Sequence, residues 1–119
     1  MRKNVKKFLA ILKIELEDAE DGLECLLAAY KKSEEKNLIT EYVSRENSGL
    51  ARHEIAAIKS MLGEIVSLPA ESFDSVEDAE DAVKEFVAEE IRRHGYPAAL
   101  GVLIDRKILK IRKYIDGVV

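Results

Sequence analysis

The stretch ITEYVSRENSGLARHEIAAIKSMLGEIVSL, residues 39–68, decides the fold because its apolar residues have the spacing of one long amphipathic helix. At about 100° per residue, these side chains form a single stripe along the helix. The stripe stays in phase across Asn47, Ser48 and Gly49, a tripeptide typical of turns. We therefore predict an uninterrupted helix. The stripe consists of Ile39, Val43, Leu50, Ala57, Met61 and Leu68.

Gly49 has a predicted role of its own in this helix. A missing side chain inside a helix permits close approach of another group. We expect a neighbouring helix or a ligand to approach Gly49, next to Glu46.

The rest of the chain shows the same periodicity on either side of this stretch. Apolar residues recurring at i, i+3, i+4 and i+7 predict a first helix over residues 4–32. Asp74 or Ser75 is expected to cap a third helix, and Gly95 is expected to end it. Residues 69–74 then form the longest connection.

A fourth helix is predicted from Pro97, at the first helical position, to about residue 116. The connections between the four helices are about six residues or shorter, which favours antiparallel neighbours. The sequence therefore predicts an all-α fold, an antiparallel up-down four-helix bundle. We expect residues 1–119 to form one domain.

Composition narrows the functional classes. Apolar residues make up 47% and charged residues 35% of the chain, as in globular proteins. The net charge of −4 argues against a dedicated nucleic-acid binder or a reader of anionic membranes. The chain has no Gln, against 16 Glu and 12 Lys, which is a thermophile tendency.

Compartment is predicted from cysteine usage and from apolar runs. Cys25 is the single cysteine, which excludes an internal disulfide and the multi-cysteine zinc motifs. The apolar run at residues 8–12 is too short for a signal peptide, and no run approaches the ~18 apolar residues of a membrane span. The expected location is therefore the reducing cytoplasm.

A polar layer is predicted inside the bundle. Glu46, His53 and Glu54 fall on or beside the apolar stripe of the second helix, where the periodicity calls for aliphatic residues. Antiparallel pairing brings Glu90 of the third helix to the height of His53, and Glu20 flanks the stripe of the first helix. Unpartnered buried carboxylates cost several kcal/mol, at least ~2 each. These five residues are therefore predicted to face inward, as a divalent-metal site or as a structural network.

Three functions are compatible with these features. The favoured interpretation is a small cytoplasmic binding or assembly module, and no catalytic residue is predicted. The second is a metal-binding bundle, because the placement of the polar layer resembles that of ferritin-like di-iron bundles. The chain has no Glu-x-x-His motif, so a mononuclear site or none is expected. The third is a Mg²⁺-dependent nucleotide phosphohydrolase that uses the repeated pentapeptide Glu-Asp-Ala-Glu-Asp at 17–21 and 77–81, although those acids fit a solvated face better.

Apolar residues outside the stripe of the fourth helix predict a homodimer. Val102 and Leu109, with Leu103 or Tyr114, lie outside its apolar stripe, and such extra apolar surface calls for cover by a second copy. The third helix has a net charge of −4 and the fourth a net charge of +3, which favours pairing within the bundle or between subunits. The basic residues of the fourth helix are not expected to contact DNA, because neighbouring acids weaken their field.

Overall fold

The computed structural model describes residues 2–117, with the side chains of residues 4–117. The chain is an all-α four-helix bundle, as predicted, and the described residues include no strand. A short 3-10 turn, Ala70–Ser72, separates the second and third helices. Among residues 2–117, no helix combines the length and apolarity that crossing a bilayer would need. The helices are α1 Arg2–Glu35, α2 Glu41–Val66, α3 Val76–His94 and α4 Ala99–Ile115.

Local hydrogen bonds set the ends of α2 and α3. The Thr40 hydroxyl accepts the N–H of Val43 at 3.2 Å and begins α2. The Ser75 hydroxyl accepts the N–H of Asp78 at 3.1 Å and begins α3. Gly95 adopts a left-handed conformation with φ of 65° and ends α3. The predicted boundaries of α3 are therefore confirmed.

The start of α4 differs from the prediction. Pro97 is not the first helical residue, since α4 begins at Ala99. The carbonyl of Pro97 instead accepts the N–H of Leu100 at 3.0 Å. A tight turn after α3 thus precedes the helix, and the proline belongs to that turn.

The helix α2 continues through the tripeptide Asn47, Ser48 and Gly49, as predicted. The predicted approach of a neighbouring helix to Gly49 is wrong. A Cβ added there would meet no other heavy atom within 4 Å, because this position of α2 faces open space. Gly49 therefore has no neighbouring helix among the described residues.

Small side chains on α2 form its contact with α1. Ser44, Ser48 and Ala51 are buried, although they lie outside the predicted stripe. Their spacing of four and three residues places them on one side of α2. Ser44 and Ser48 line a groove there together with Leu27 of α1. Small residues let two helix backbones approach closely, so this row positions α1 along α2.

The apolar core occupies only one end of this helix pair. Its members come from the first half of α1, the second half of α2, and both α3 and α4. The largest fully buried side chains are Val5, Phe8, Leu12, Leu16, Ile58, Met61, Ile65, Val83, Leu100, Ile104, Ile108 and Ile111. We call residues 2–24 and 52–117 the base, which has four helices. Residues 25–51 project beyond it as a two-helix hairpin that we call the arm.

The predicted stripe of α2 crosses from the base into the arm. In the base, Ala57 and Met61 are buried, as expected. In the arm, Val43 is 40% exposed and Leu50 is 53% exposed. The stripe is in phase over its whole length, but α3 and α4 cover only its base half. Burial of the arm half was therefore wrongly predicted.

Candidate functional site

The predicted polar layer does not form inside the bundle. Glu46 and His53 are both exposed, and Glu54 is half-buried. The physical reason lies in the position of α1, which packs on the side of α2 that carries Ser44 and Ser48. Glu46 and His53 point away from that side, so the inward-facing layer is wrong as a prediction of geometry.

His53 instead lies beside an aromatic residue of the turn between α3 and α4. The rings of His53 and Tyr96 meet edge to face, with their centroids 5.5 Å apart. The ring of His94 lies on Tyr96 as well, with a centroid distance of 5.3 Å. Tyr96 thus brings the two histidines of the chain to one place, where the arm leaves the base.

Glu90 belongs to the same place. Its Oε2 lies 2.8 Å from Nε2 of His94, one helical turn along α3. The direction of this contact does not meet the geometry of a hydrogen bond, and Oε2 is buried without such a bond. The predicted proximity of Glu90 and His53 is found only in this indirect sense, through Tyr96 and His94.

Glu20 has a partner of its own. Its Oε1 lies 3.4 Å from Nζ of Lys59, which joins α1 to α2. The five residues predicted as metal ligands are therefore not gathered around one point. Within the part of the chain that the structure describes, no group of three or more His, Cys, Asp or Glu side chains could hold a metal ion. Metal binding by these residues stays a prediction.

The two acidic pentapeptides share one structural pattern. The fourth residue of each, Glu20 and Glu80, is half-buried and faces a cation of the bundle. Their remaining acids are exposed, as on a solvated helix face. The first copy therefore supplies one contact of the bundle, whereas both Glu77 and Glu80 of the second copy bind Arg112 of α4.

Glu15 is the most connected carboxylate of α1. Its Oε1 accepts hydrogen bonds from Nζ of Lys107 at 3.2 Å and Nζ of Lys110 at 3.1 Å. The Lys110 bond, together with that of Lys107, outweighs burial and lowers the pKa of Glu15. This cluster joins α1 to α4.

Arg112 joins α4 to α3. Its guanidinium donates to Glu80 at 2.6 Å and to Glu77 at 2.8 Å. Burial raises the pKa of Glu80, but hydrogen bonds from Lys84 and Arg112 outweigh it and leave that pKa lowered. The opposite net charges of the third and fourth helices thus pair within the chain.

Sequence reasoning missed Tyr96 and both ion clusters. Tyr96 lies in a connection, where helical periodicity carries no information. The partners of Glu15 lie more than 90 residues away in sequence, at distances that only the packing of α1 on α4 determines. The opposite charges of the third and fourth helices were the one indication for the contacts of Arg112.

The exposed apolar residues of α4 lie on two sides of the helix. Val102 and Leu109, seven residues apart, share the outer side and are 52% and 57% exposed. Tyr114 lies nearer α1, with Nζ of Lys7 5.0 Å from its ring centroid. Leu103 is half-buried against the core. Only Val102 and Leu109 therefore form a common outward line.

Comparisons with protein-family models, with curated proteins and with solved structures found no match to this chain.

Proposed function

We propose that this protein is a homo-oligomeric binding and assembly module of the cytoplasm, built on a helical bundle. The observation that carries the proposal is a set of large apolar side chains that the four helices leave exposed, on the arm and on the outer side of α4. Leu26, Val43 and Leu50 lie on the arm, and Val102 and Leu109 lie on α4. Exposed apolar surface of this kind is typical of surfaces that bind another protein.

Two surfaces compete for this role. The outer line of α4, predicted from the sequence, has Val102 and Leu109 separated by the charged residue Arg106. The arm has apolar residues on both of its helices, and its exposed face continues the core of the base. The arm is therefore the better supported of the two.

Sedimentation velocity over a concentration series tests the proposal. We expect reversible association of the full chain at micromolar concentrations, with the helical content unchanged. A single species with the mass of a monomer at all concentrations up to about 100 μM would contradict it, because specific interfaces of roughly 1,000 Å² normally associate below that range.

Metal binding and Mg²⁺-dependent phosphohydrolysis stay as predictions from the sequence. The separation of Glu46 from Glu90 weakens the support for the metal site, and the exposed acids at 17–21 and 77–81 fit a solvated surface. Elemental analysis of the purified protein addresses the first of these alternatives directly.

A further inference from the structure

Two rows of residues spaced by seven run along α1 from the base into the arm. In one row, Val5 and Leu12 are fully buried, Ala19 is half-buried, and Leu26 is 39% exposed. The second row comprises Leu9, Leu16, Leu23 and Tyr30, and it changes from buried to half-buried in the same direction. A repeat of seven is the pattern of helices that pack side by side along their full length. The pattern therefore predicts that other helices pack against the arm beyond the point where α3 and α4 end.

The helix α2 shows the same pattern in the reverse direction. Val43, Leu50 and Ala57 are spaced by seven, and only Ala57 is covered. The contact of Tyr96 with His53 marks how far the turn between α3 and α4 reaches along α2. Beyond it, Leu26, Val43 and Leu50 lie on the side of the hairpin that α3 and α4 cover in the base.

We infer that this face of the arm binds the arm of a second copy in antiparallel orientation, an inference that rests on the proposed homo-oligomeric function. Two arms stacked face to face supply four helices, the number that buries the same rows in the base. Antiparallel stacking places the bulky base of each copy beyond the tip of the other, so the bases do not collide.

Charge along α1 favours this orientation. Asp18, Asp21 and Lys32 are exposed on the edge of α1 that points away from α2, and the exposed Lys36 follows directly after the end of α1. The two acids lie near the base and the two lysines near the tip. Antiparallel stacking places α1 of one copy over α1 of the other and brings the lysines of one copy towards the acids of the other.

The size of the surface fits a weak, reversible dimer. About twelve residues of each helix extend past the turn at Tyr96, which corresponds to roughly 18 Å of helix. Two helices about 10 Å wide then present roughly 360 Å² of flat face per copy. The tip adds contact against the base of the second copy, because Leu38 there is 72% exposed. The total is on the order of 1,000 Å², at the lower limit for a specific interface.

Substitutions on the arm face test the inference. Leu26→Lys combined with Leu50→Lys places charge in the centre of the stacked face and should raise the dimer dissociation constant at least tenfold, as measured by sedimentation velocity. The control is Ile14→Lys, a change at a leucine-sized residue of α1 in the base that is 61% exposed, against 39% for Leu26 and 53% for Leu50. It should leave the constant unchanged. All three sites are exposed, so circular dichroism should show unchanged helical content in each variant.

A second pair of variants separates this inference from the proposed function. If Val102→Lys with Leu109→Lys abolishes the dimer and the arm variants do not, the arm inference is overturned while homo-oligomerisation stands. If the unmodified chain is monomeric throughout the series, both are overturned. Loss of the dimer in the arm variants alone supports the arm.

Charge reversal and cross-linking test the orientation. Asp21→Lys or Lys36→Asp alone should weaken the dimer several-fold, and the two changes together should restore it; failure of the double variant to restore it would overturn the antiparallel arrangement. In a Cys25→Ser background, Asn47→Cys places one thiol per copy near the centre of the stacked face. A short bis-maleimide should then yield a covalent dimer, and Ile14→Cys in the same background should not. Cross-linking of the Ile14→Cys protein alone would overturn the inference.

Discussion

The base and the arm are formed by the same two helices, yet they are held together by different interactions. In the base, α1 contributes fully buried Phe8, Leu12 and Leu16 to a core that all four helices share. Ion clusters centred on Glu15 and Arg112 add contacts between helices there. Within residues 25–51, the one ion pair found joins Arg45 to Glu41 on the same helix. Apolar residues spaced by seven are therefore buried by neighbouring helices in the base and remain partly exposed in the arm.

This difference shows that the burial of an apolar side chain depends more on how many helices surround it than on the sequence of its own helix. On the same row of α1, Leu12 is fully buried where α3 and α4 lie beside it, whereas Leu26 is over a third exposed where they do not. The base should consequently set the global stability, and the arm should open more readily.

The largest expected effect comes from truncating one leucine of the same α1 row in each region, Leu12 in the base and Leu26 in the arm. Leu12→Ala should lower the free energy of unfolding by about 2–5 kcal/mol, because it opens a cavity in the core. Leu26→Ala, seven residues further than Ala19 on the same row, should cost under ~1 kcal/mol in the monomer. Urea unfolding at low protein concentration measures both. Equal losses would show that the arm is as well packed as the base.

The ion cluster of the base gives the next largest effect. Glu15→Gln should lower the free energy of unfolding at pH 7 by about 1–2 kcal/mol, because two lysines lose their shared charged partner. The pKa of Glu15 is lower in the folded chain than its usual value of 4.5. Its contribution is therefore fully present above that value and is lost as the pH falls through the lower folded pKa.

Unfolding curves at several pH values measure this dependence. The gap between the parent and Glu15→Gln should shrink as the pH drops below 4.5. The exposed Glu17, half a turn away, provides the control, since Glu17→Gln should change little. A gap that stays constant down to acid pH would refute the ionic role of Glu15.

Two glycines allow a matched comparison of the regions. Gly49 in the arm and Gly63 in the base both lie inside α2, and a Cβ at either would contact no heavy atom within 4 Å. Alanine at such a position favours the helix by up to about 1 kcal/mol. We expect Gly63→Ala to raise the global unfolding midpoint. Gly49→Ala should instead slow hydrogen exchange of arm amides and leave the midpoint nearly unchanged. A midpoint raised equally by both would indicate that arm and base unfold together.

The smallest expected effect concerns the junction between the regions. His53→Ala removes the edge-to-face contact with Tyr96 and should cost about 0.5–1 kcal/mol. Elemental analysis of the parent and the variant is expected to give the same metal content. A bound metal that the parent carries and His53→Ala loses would instead support the metal-binding interpretation.

Much of the fold could be predicted from periodicity and caps. The four helices, the cap at Ser75, the end at Gly95 and the unbroken helix through Asn47 all follow from local patterns. Local patterns act over a few turns, and that is the range over which they are reliable.

The candidate site could not be predicted in the same way. The apolar stripe of α2 is real, but a stripe shows only that a face can be buried and not that another helix reaches it. The buried row at Ser44, Ser48 and Ala51 is small and partly polar, so it does not stand out in an apolar pattern. Assigning Glu46 and His53 to the interior followed from taking the stripe as covered throughout.

The heptad rows of α1 and α2 also determine how the length of the hairpin could vary. Seven residues correspond to nearly two full turns, with a residual rotation of only about 20°. Removing seven residues from both helices would shorten the hairpin by roughly 10 Å and keep its apolar side aligned with the core. Removing three from each would turn that side by about 60°. We therefore expect the protein to tolerate insertions and deletions best when seven residues are added to, or removed from, both helices together.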